Sequence, residues 1–189
     1  LQVFNTTYAS PRSFNNHYGV PASLSNLNIS HKYAVLEVGM SKAGEINRLS
    51  KMIKPNIGII TNIGEAHIEN FKSIKGIAKA KSEMINNIKI NGTIILNHDD
   101  KFFSYLRKKA KLKNVKIISF GMTKKAEVHP IKIEKNGALT YFTIKVIDQI
   151  IKLKITNINI YNLLASLAVL KELGLNIHDS LQVYKNFQP

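Results

Sequence analysis

The sequence has no cysteine and no tryptophan, and its only arginines are Arg12, Arg48 and Arg107. Without cysteine, disulfides and thiolate-ligated metals are excluded, while sites built from histidine and carboxylate stay open. No apolar run approaches the roughly 20 residues that a helix needs to cross a bilayer. The opening LQVFNTTYASPRS lacks the basic-then-apolar order of a secretion signal. These absences suit a cytoplasmic protein. Acidic residues are also scarce: 12 Asp+Glu against 27 Lys+Arg leave a net charge of +15 on 189 residues. The excess is nearly all lysine, scattered along the chain with one compact cluster, RKKAKLK at 107–113. Arginine is the residue that grips phosphates and base edges with two parallel hydrogen bonds. Its scarcity argues against a nucleic-acid module, and that class stays as an alternative. A solvated lysine-biased surface and the attraction of small anionic substrates are the other two explanations of the charge.

What is present is an alternation. With 44% hydrophobic residues, the chain suits one domain with a substantial core. The first thirty residues read as irregular. YAVLEVG (33–39) then reads as a buried strand, KAGEINRLSKMI (42–53) as a helix and IGIITNI (57–63) as a second strand. SIKGIAKAKSEMINNI (73–88) has helical periodicity, GTIILN (92–97) is a strand, KFFSYLRKKA (101–110) a helix and VKIISFG (115–121) a strand. Near-continuous β-branched strands alternating with helices predict a Rossmann-like α/β fold, a mostly parallel sheet with helices on both faces. From residue 126 to 156 the pattern changes to short alternating strands separated by an Asn-Gly turn and a second reversal at VIDQII, an antiparallel extension. Two helices follow, at 160–174 with Gly174 as C-cap and at 177–187.

In such a sheet the chemistry gathers at the C-terminal ends of the strands. Glu37 near the end of the first strand, Asn62 at the end of the second and His67 in the following loop are placed to converge there. Glu37 and His67 could help hold a divalent ion, Mg²⁺ if phosphate is near, or be an ordinary capping carboxylate and loop histidine. Glu65 and Glu69 read as solvated charges. Lys81 is the anomaly. On a wheel with Ile77 at zero it falls at about 40°, inside the apolar stripe of Ile74, Met84, Ile85 and Ile88, whereas Lys75 and Lys79 point away. It is either a snorkelling lysine or an amine whose burial lowers its pKa and lets it react with carbon dioxide. Asn15 and Asn16, in FNNHYG, could clamp a polar ligand or satisfy their own loop. Glu45 suits the first turn of its helix, and Asn162 reads as a helix cap or a surface residue.

Four segments, SFNNHYGVP (13–21), VLEVGMSKAGEI (35–46), TNIGEAHIENFKSIKGIAKAKSEM (61–84) and ILNHDD (95–100), resemble the central domain of the Mur ligases. The Asn-Asn-x-x-Gly-x-Pro element is nearest the branch that adds D-alanyl-D-alanine to UDP-N-acetylmuramoyl-tripeptide through an acyl phosphate. The resemblance implies an ATP-dependent amide-forming ligase of cell-wall synthesis. It implies Mg²⁺ at Glu37 and His67, and a carbamylated lysine at Lys81. It also implies substrate contacts at Asn15 and Asn16 and nucleotide contacts at Asn97 and Asn162. The family's Gly-x-His-Asn run is altered here, with Thr156 and Ile158 in place of Gly and His while Asn159 is kept. A glycine-rich GKT/S phosphate loop is absent from these residues, as are the family's UDP-binding N-terminal domain and its C-terminal domain. The resemblance therefore implies a piece, residues 1–189, of a longer enzyme that is inactive alone. A structural fragment without catalysis is a further alternative.

Overall fold

The computed structural model describes residues 1–11, 13–65, 68–137, 139–156 and 158–185. The elements in chain order are β1 (Thr7–Ala9), α1 (Gly19–Ser25), β2 (Tyr33–Val35), α2 (Glu45–Ile53), β3 (Ile57–Ile60), α3 (Ile68–Phe71) and α4 (Ile74–Lys81). A 3-10 segment, Ser82–Asn87, follows, then β4 (Thr93–Asn97), α5 (Phe103–Leu112), β5 (Lys116–Phe120), β6 (Val128–Asn136), β7 (Leu139–Val146), β8 (Gln149–Thr156), α6 (Ile160–Glu172) and α7 (Ile177–Lys185). Six strands form one sheet in the order β3-β4-β5-β6-β7-β8, and β1 and β2 form a separate parallel pair. The fold is α/β, with helices between successive strands from β3 to β5; β5 pairs parallel with β6, and β6, β7 and β8 pair antiparallel.

The chain forms two compact units. The first comprises Leu1–Gly58, Ile63–Ile94 and Ser104–Lys116. Its strands are short and its helices are held by buried apolar side chains, among them Ile46, Leu49, Ile77, Ile85 and Leu106. The second comprises Ile59–Asn62, Ile95–Phe103 and Ile117–Pro189. In β8 burial alternates with period two: Ile151, Leu153 and Ile155 are buried while Lys152, Lys154 and Thr156 are exposed. Each fully buried Ile or Leu of this kind contributes about 1.5–3 kcal/mol relative to an exposed one. The Asn136-Gly137 turn and the reversal at Ile147-Asp148 fall where the sequence places them. In α6, the amide of Leu175 donates to Leu170 O (3.0 Å) just beyond Gly174, closing the helix with a backbone cap.

Three expectations need correction. Residues 1–30 are not irregular throughout, because β1 and α1 lie there. Their sequences hide them: α1 buries Gly19, Val20 and Ser23, small residues that give a weak periodic signal. Strand 33–39 is neither long nor buried; it is confined to Tyr33–Val35, and Val35 is 49% exposed. A strand paired only with three-residue β1 cannot have both faces covered as a central strand does. The helix expected over 73–88 tightens after Lys81 into the 3-10 segment, so the 100° wheel holds only for its first half. The final helix is described to Lys185, and residues 186 and 187 lie outside the described part.

Candidate functional site

In the first unit, Glu37 and Asn15 come together. Glu37 lies two residues beyond β2, and its backbone amide donates to Ser10 Oγ (3.1 Å). Asn15 Nδ2 donates to Glu37 Oε1 at 2.8 Å, a charge-assisted bond that orients the carboxylate. The amide of Gly39 donates to Asn15 O (2.7 Å), and a Cβ at Gly39 would stand 2.9 Å from Asn15 Cγ. Only glycine lets the strand-following turn approach the Asn15 side chain this closely. Asn16 is used differently. Its Oδ1 accepts from the amides of Tyr18 (3.0 Å) and Gly19 (2.9 Å) and so fixes the first turn of α1, leaving its amide group as the part able to meet a ligand.

Lys81 is the last residue of α4. It is half-buried, while Lys75 and Lys79 on the same helix are exposed, which is the asymmetry the wheel gives for this half of the segment. Ser73 caps α4 by accepting from the Gly76 amide at 3.1 Å. The chain just beyond Lys81 is tied to α2 by two side chains of the 3-10 segment. Glu83 accepts from the amide of Gly44 (2.9 and 3.1 Å) and of Asn47 (3.0 Å), supplying the cap that α2 lacks in its own sequence. A carboxylate there meets the positive end of the helix. Asn87 Nδ2 contacts Asn47 O (3.1 Å), Asn47 Oδ1 (2.9 Å) and Ser50 Oγ (2.9 Å). Glu45 accepts from the amides of Ser41 (2.6 Å) and Lys42 (3.1 Å), and the Ser41 amide in particular holds its carboxyl below the ordinary range.

His67, the second expected metal ligand, lies outside the described residues. Among the described residues no group of three or more His, Asp or Glu forms a ready metal cluster. The donor chemistry still fits Mg²⁺, which keeps several waters and needs only one or two protein carboxylates beside phosphate oxygens. Glu37, oriented through one oxygen, is such a carboxylate.

In the second unit, Asn97 ends β4 and is only 8% exposed. Its Nδ2 donates to Thr61 O and its Oδ1 accepts from the Asp99 amide, both at 3.0 Å. The Asp99 carboxylate accepts from the amide of Met122 and, at 3.2 Å, from the Tyr161 hydroxyl. Tyr161 and Asn162 open α6, and their amides donate to the N-cap Asn159 Oδ1 at 3.0 and 3.3 Å. Asn162 itself is exposed. The two residues expected to meet nucleotide are thus joined through two that sequence reasoning passed over, Asp99 and Tyr161. ILNHDD contains Asp99, but nothing in that string says which turn its carboxylate will meet. Burial first, and then the Asp99 charge and hydrogen bond, raise the Tyr161 hydroxyl above its ordinary pKa. The altered run TNIN keeps one function visibly: Asn159 caps α6.

Residues 2–170 match the family model described as the Mur ligase middle domain. The chain is 42% identical over 125 residues to the UDP-N-acetylmuramoyl-tripeptide–D-alanyl-D-alanine ligase of Buchnera aphidicola subsp. Acyrthosiphon pisum, covering 66% of this chain and 27% of that protein. A crystal structure of MurF from Acinetobacter baumannii superposes with a TM-score of 0.91 at 29% identity, covering 100% of this chain and 42% of the other. MurF ligase from Thermotoga maritima in complex with ADP gives a TM-score of 0.85 at 25% identity, covering 100% of this chain and 44% of the other. The chain therefore spans less than half the length of these relatives.

Proposed function

The chain belongs to the Mur ligase family, and from that membership we propose that it is the middle domain of an ATP-dependent ligase joining D-alanyl-D-alanine to UDP-N-acetylmuramoyl-tripeptide. The observation that carries this reading is the 42% identity to a relative bearing that activity in its name, with a MurF structure matching along 100% of the chain in support. The complete enzyme works with an N-terminal UDP-binding domain and a C-terminal domain, and the middle domain alone is expected to be inactive.

The reaction has two parts. An oxygen of the tripeptide's terminal carboxylate attacks the γ-phosphorus of ATP; the bond to the bridging oxygen breaks, ADP leaves and an acyl phosphate forms. The amine of D-alanyl-D-alanine then attacks the carbonyl carbon, phosphate departs with the electrons of its C–O bond, and the nitrogen loses a proton to give the amide. The barrier in the first part is the approach of one anion to another, and in both parts it is alignment. Glu37 and His67 are the residues that would hold Mg²⁺, which when bound offsets that charge repulsion. Asn15 keeps Glu37 oriented and, with the Asn16 amide group, faces the peptide substrate. Asn97 and Asn162 serve the nucleotide. Lys81, partly withdrawn from water, is the carbamylation site: its neutral nitrogen adds to the carbon of carbon dioxide and releases a proton, turning a cationic position into an anionic one that organises the metal and phosphate region.

The test uses the complete enzyme. Substitution Lys81→Ala is expected to lower amide formation roughly a hundredfold, the scale of lost alignment at a reacting centre. Unchanged turnover at ordinary carbon dioxide levels would remove Lys81 from the mechanism. Failure of the wild-type enzyme to form amide from D-alanyl-D-alanine, with ATP and the tripeptide present, would sink the reading itself.

A further inference from the structure

A polar clasp in the second unit is organised by a residue with no role in the proposed reaction, Asp99. Asp99 follows the last turn of β4, exposed at its surface, yet its carboxylate is committed: Oδ2 takes both the Met122 amide and the Tyr161 hydroxyl. The approach is built for it. A Cβ at Gly121 would lie 2.8 Å from Oδ2 and 2.9 Å from Cγ, so any side chain there would push the carboxylate away. The Asp99 backbone is fixed in turn by Asn97 Oδ1, and Asn97 is anchored to Thr61 O. One connected path thus runs from the end of β3 through the ends of β4 and β5 to the first turn of α6. Tyr161 and Asn162 share their cap, the Asn159 side chain, so the position of one carries the other.

We propose that Asp99 is a positioning residue for nucleotide binding: by holding the Tyr161 hydroxyl and the Met122 amide it sets the first turn of α6, and so presents Asn162 to the bound nucleotide. This rests on the reading of the chain as part of an ATP-dependent ligase. Asp99 acts through Tyr161 and does not itself touch the reacting atoms. Two features separate this from simple stabilisation. Both donors converge on a single oxygen, which an amide oxygen can replace, and the clasp ends on the turn that bears Asn162 rather than on the core.

The experiment is made on the complete ligase, with ADP as the titrant and steady-state kinetics alongside. Asp99→Ala is expected to weaken ADP binding about tenfold, the scale of a lost charge-assisted hydrogen bond, with a matching rise in KM for ATP and a much smaller change in kcat. Tyr161→Phe, which deletes only the hydroxyl, is expected to weaken it about threefold. Asp99→Asn, which keeps an acceptor oxygen, is expected to restore most of the affinity. Wild-type ADP affinity in folded Asp99→Ala protein overturns the proposal while leaving the ligase reading intact. So does an equal loss of affinity for ADP and for the tripeptide substrate, which marks a general structural defect. Absence of ADP binding by the wild-type enzyme overturns the ligase reading and this proposal with it.

Discussion

The two units hold their candidate residues by different means. In the first, short strands and helices are joined by side chains reaching between elements: Asn15 to Glu37, and Glu83 and Asn87 to α2. In the second, β6, β7 and β8 share long backbone ladders, with one irregularity between Pro130 and Lys132, and side chains add ties at strand ends and loops, among them Asn97 to Thr61, Asp99 to Tyr161 and Ser119 to Glu127. A backbone ladder fixes position whatever the side chains are, provided the alternation is kept. A side-chain brace fixes position only while both partners survive. Residues such as Glu37 and Lys81 are therefore expected to be displaced by single polar substitutions elsewhere in their unit, and the meander is not.

The comparison breaks most readily at its cores. Phe120, fully buried in β5, supports the second unit by packing, and Phe120→Ala should cost about 3–5 kcal/mol in chemical denaturation. A loss below 1 kcal/mol would mean that ladder and packing are not its mainstay. In the first unit, Glu83→Ala removes the acceptor of three hydrogen-bond contacts at the head of α2. A destabilisation of about 2 kcal/mol is expected. Amide hydrogen exchange should quicken in α2 and the 3-10 segment but not in β6–β8; faster exchange in both would erase the contrast drawn here.

A third test goes in the stabilising direction. Ile147, at φ 59°, puts a β-branched side chain in the left-handed region, held there while its amide donates to Glu127 O at 2.9 Å. Ile147→Gly should raise stability by about 1 kcal/mol, seen as a higher denaturation midpoint. A lower midpoint would show that the side chain contributes more by packing than the backbone loses by strain. The smallest effect concerns Glu45, whose carboxyl is held below its ordinary pKa by the Ser41 amide. A depressed acid stabilises the fold above its unfolded pKa and ceases to do so as pH falls through the folded value. Stability should therefore fall slightly as pH drops below about 4.5, and Glu45→Gln should flatten that limb, the effect being small because the carboxyl is solvent-screened.

Much of the architecture was legible because it is written in periods. The fully buried TIILN of β4 and the alternating QIIKLKIT of β8 announce one strand covered on both faces and one covered on a single face. The Asn136-Gly137 turn and the cap at Gly174 are equally local signals. β1 and α1 were not legible, since three residues and a run of small side chains fall below any periodic signal. The half-buried state of Lys81 could be read from its helical position, but the tightening that follows could not, because it depends on Glu83 and Asn87 finding partners in α2 some 36 to 40 residues earlier. The same limit applies at Asp99. Asn97, Asn162, Asn15 and Glu37 could be singled out by motif, whereas the carboxylate that links the first two is visible only once Gly121 and Tyr161 surround it.

The reversal at Ile147-Asp148 has a final implication. Val146 pairs with Gln149 across just two intervening residues, so the reading frame of β8 is set by that count. An insertion or deletion of one residue there would rotate the strand by half a turn, carrying Lys152 and Lys154 inward and Ile151, Leu153 and Ile155 out to water. Length variation in this stretch should therefore come in even steps, or be absorbed by a bulge, while the Asn136-Gly137 end of the hairpin obeys the same parity on the other side.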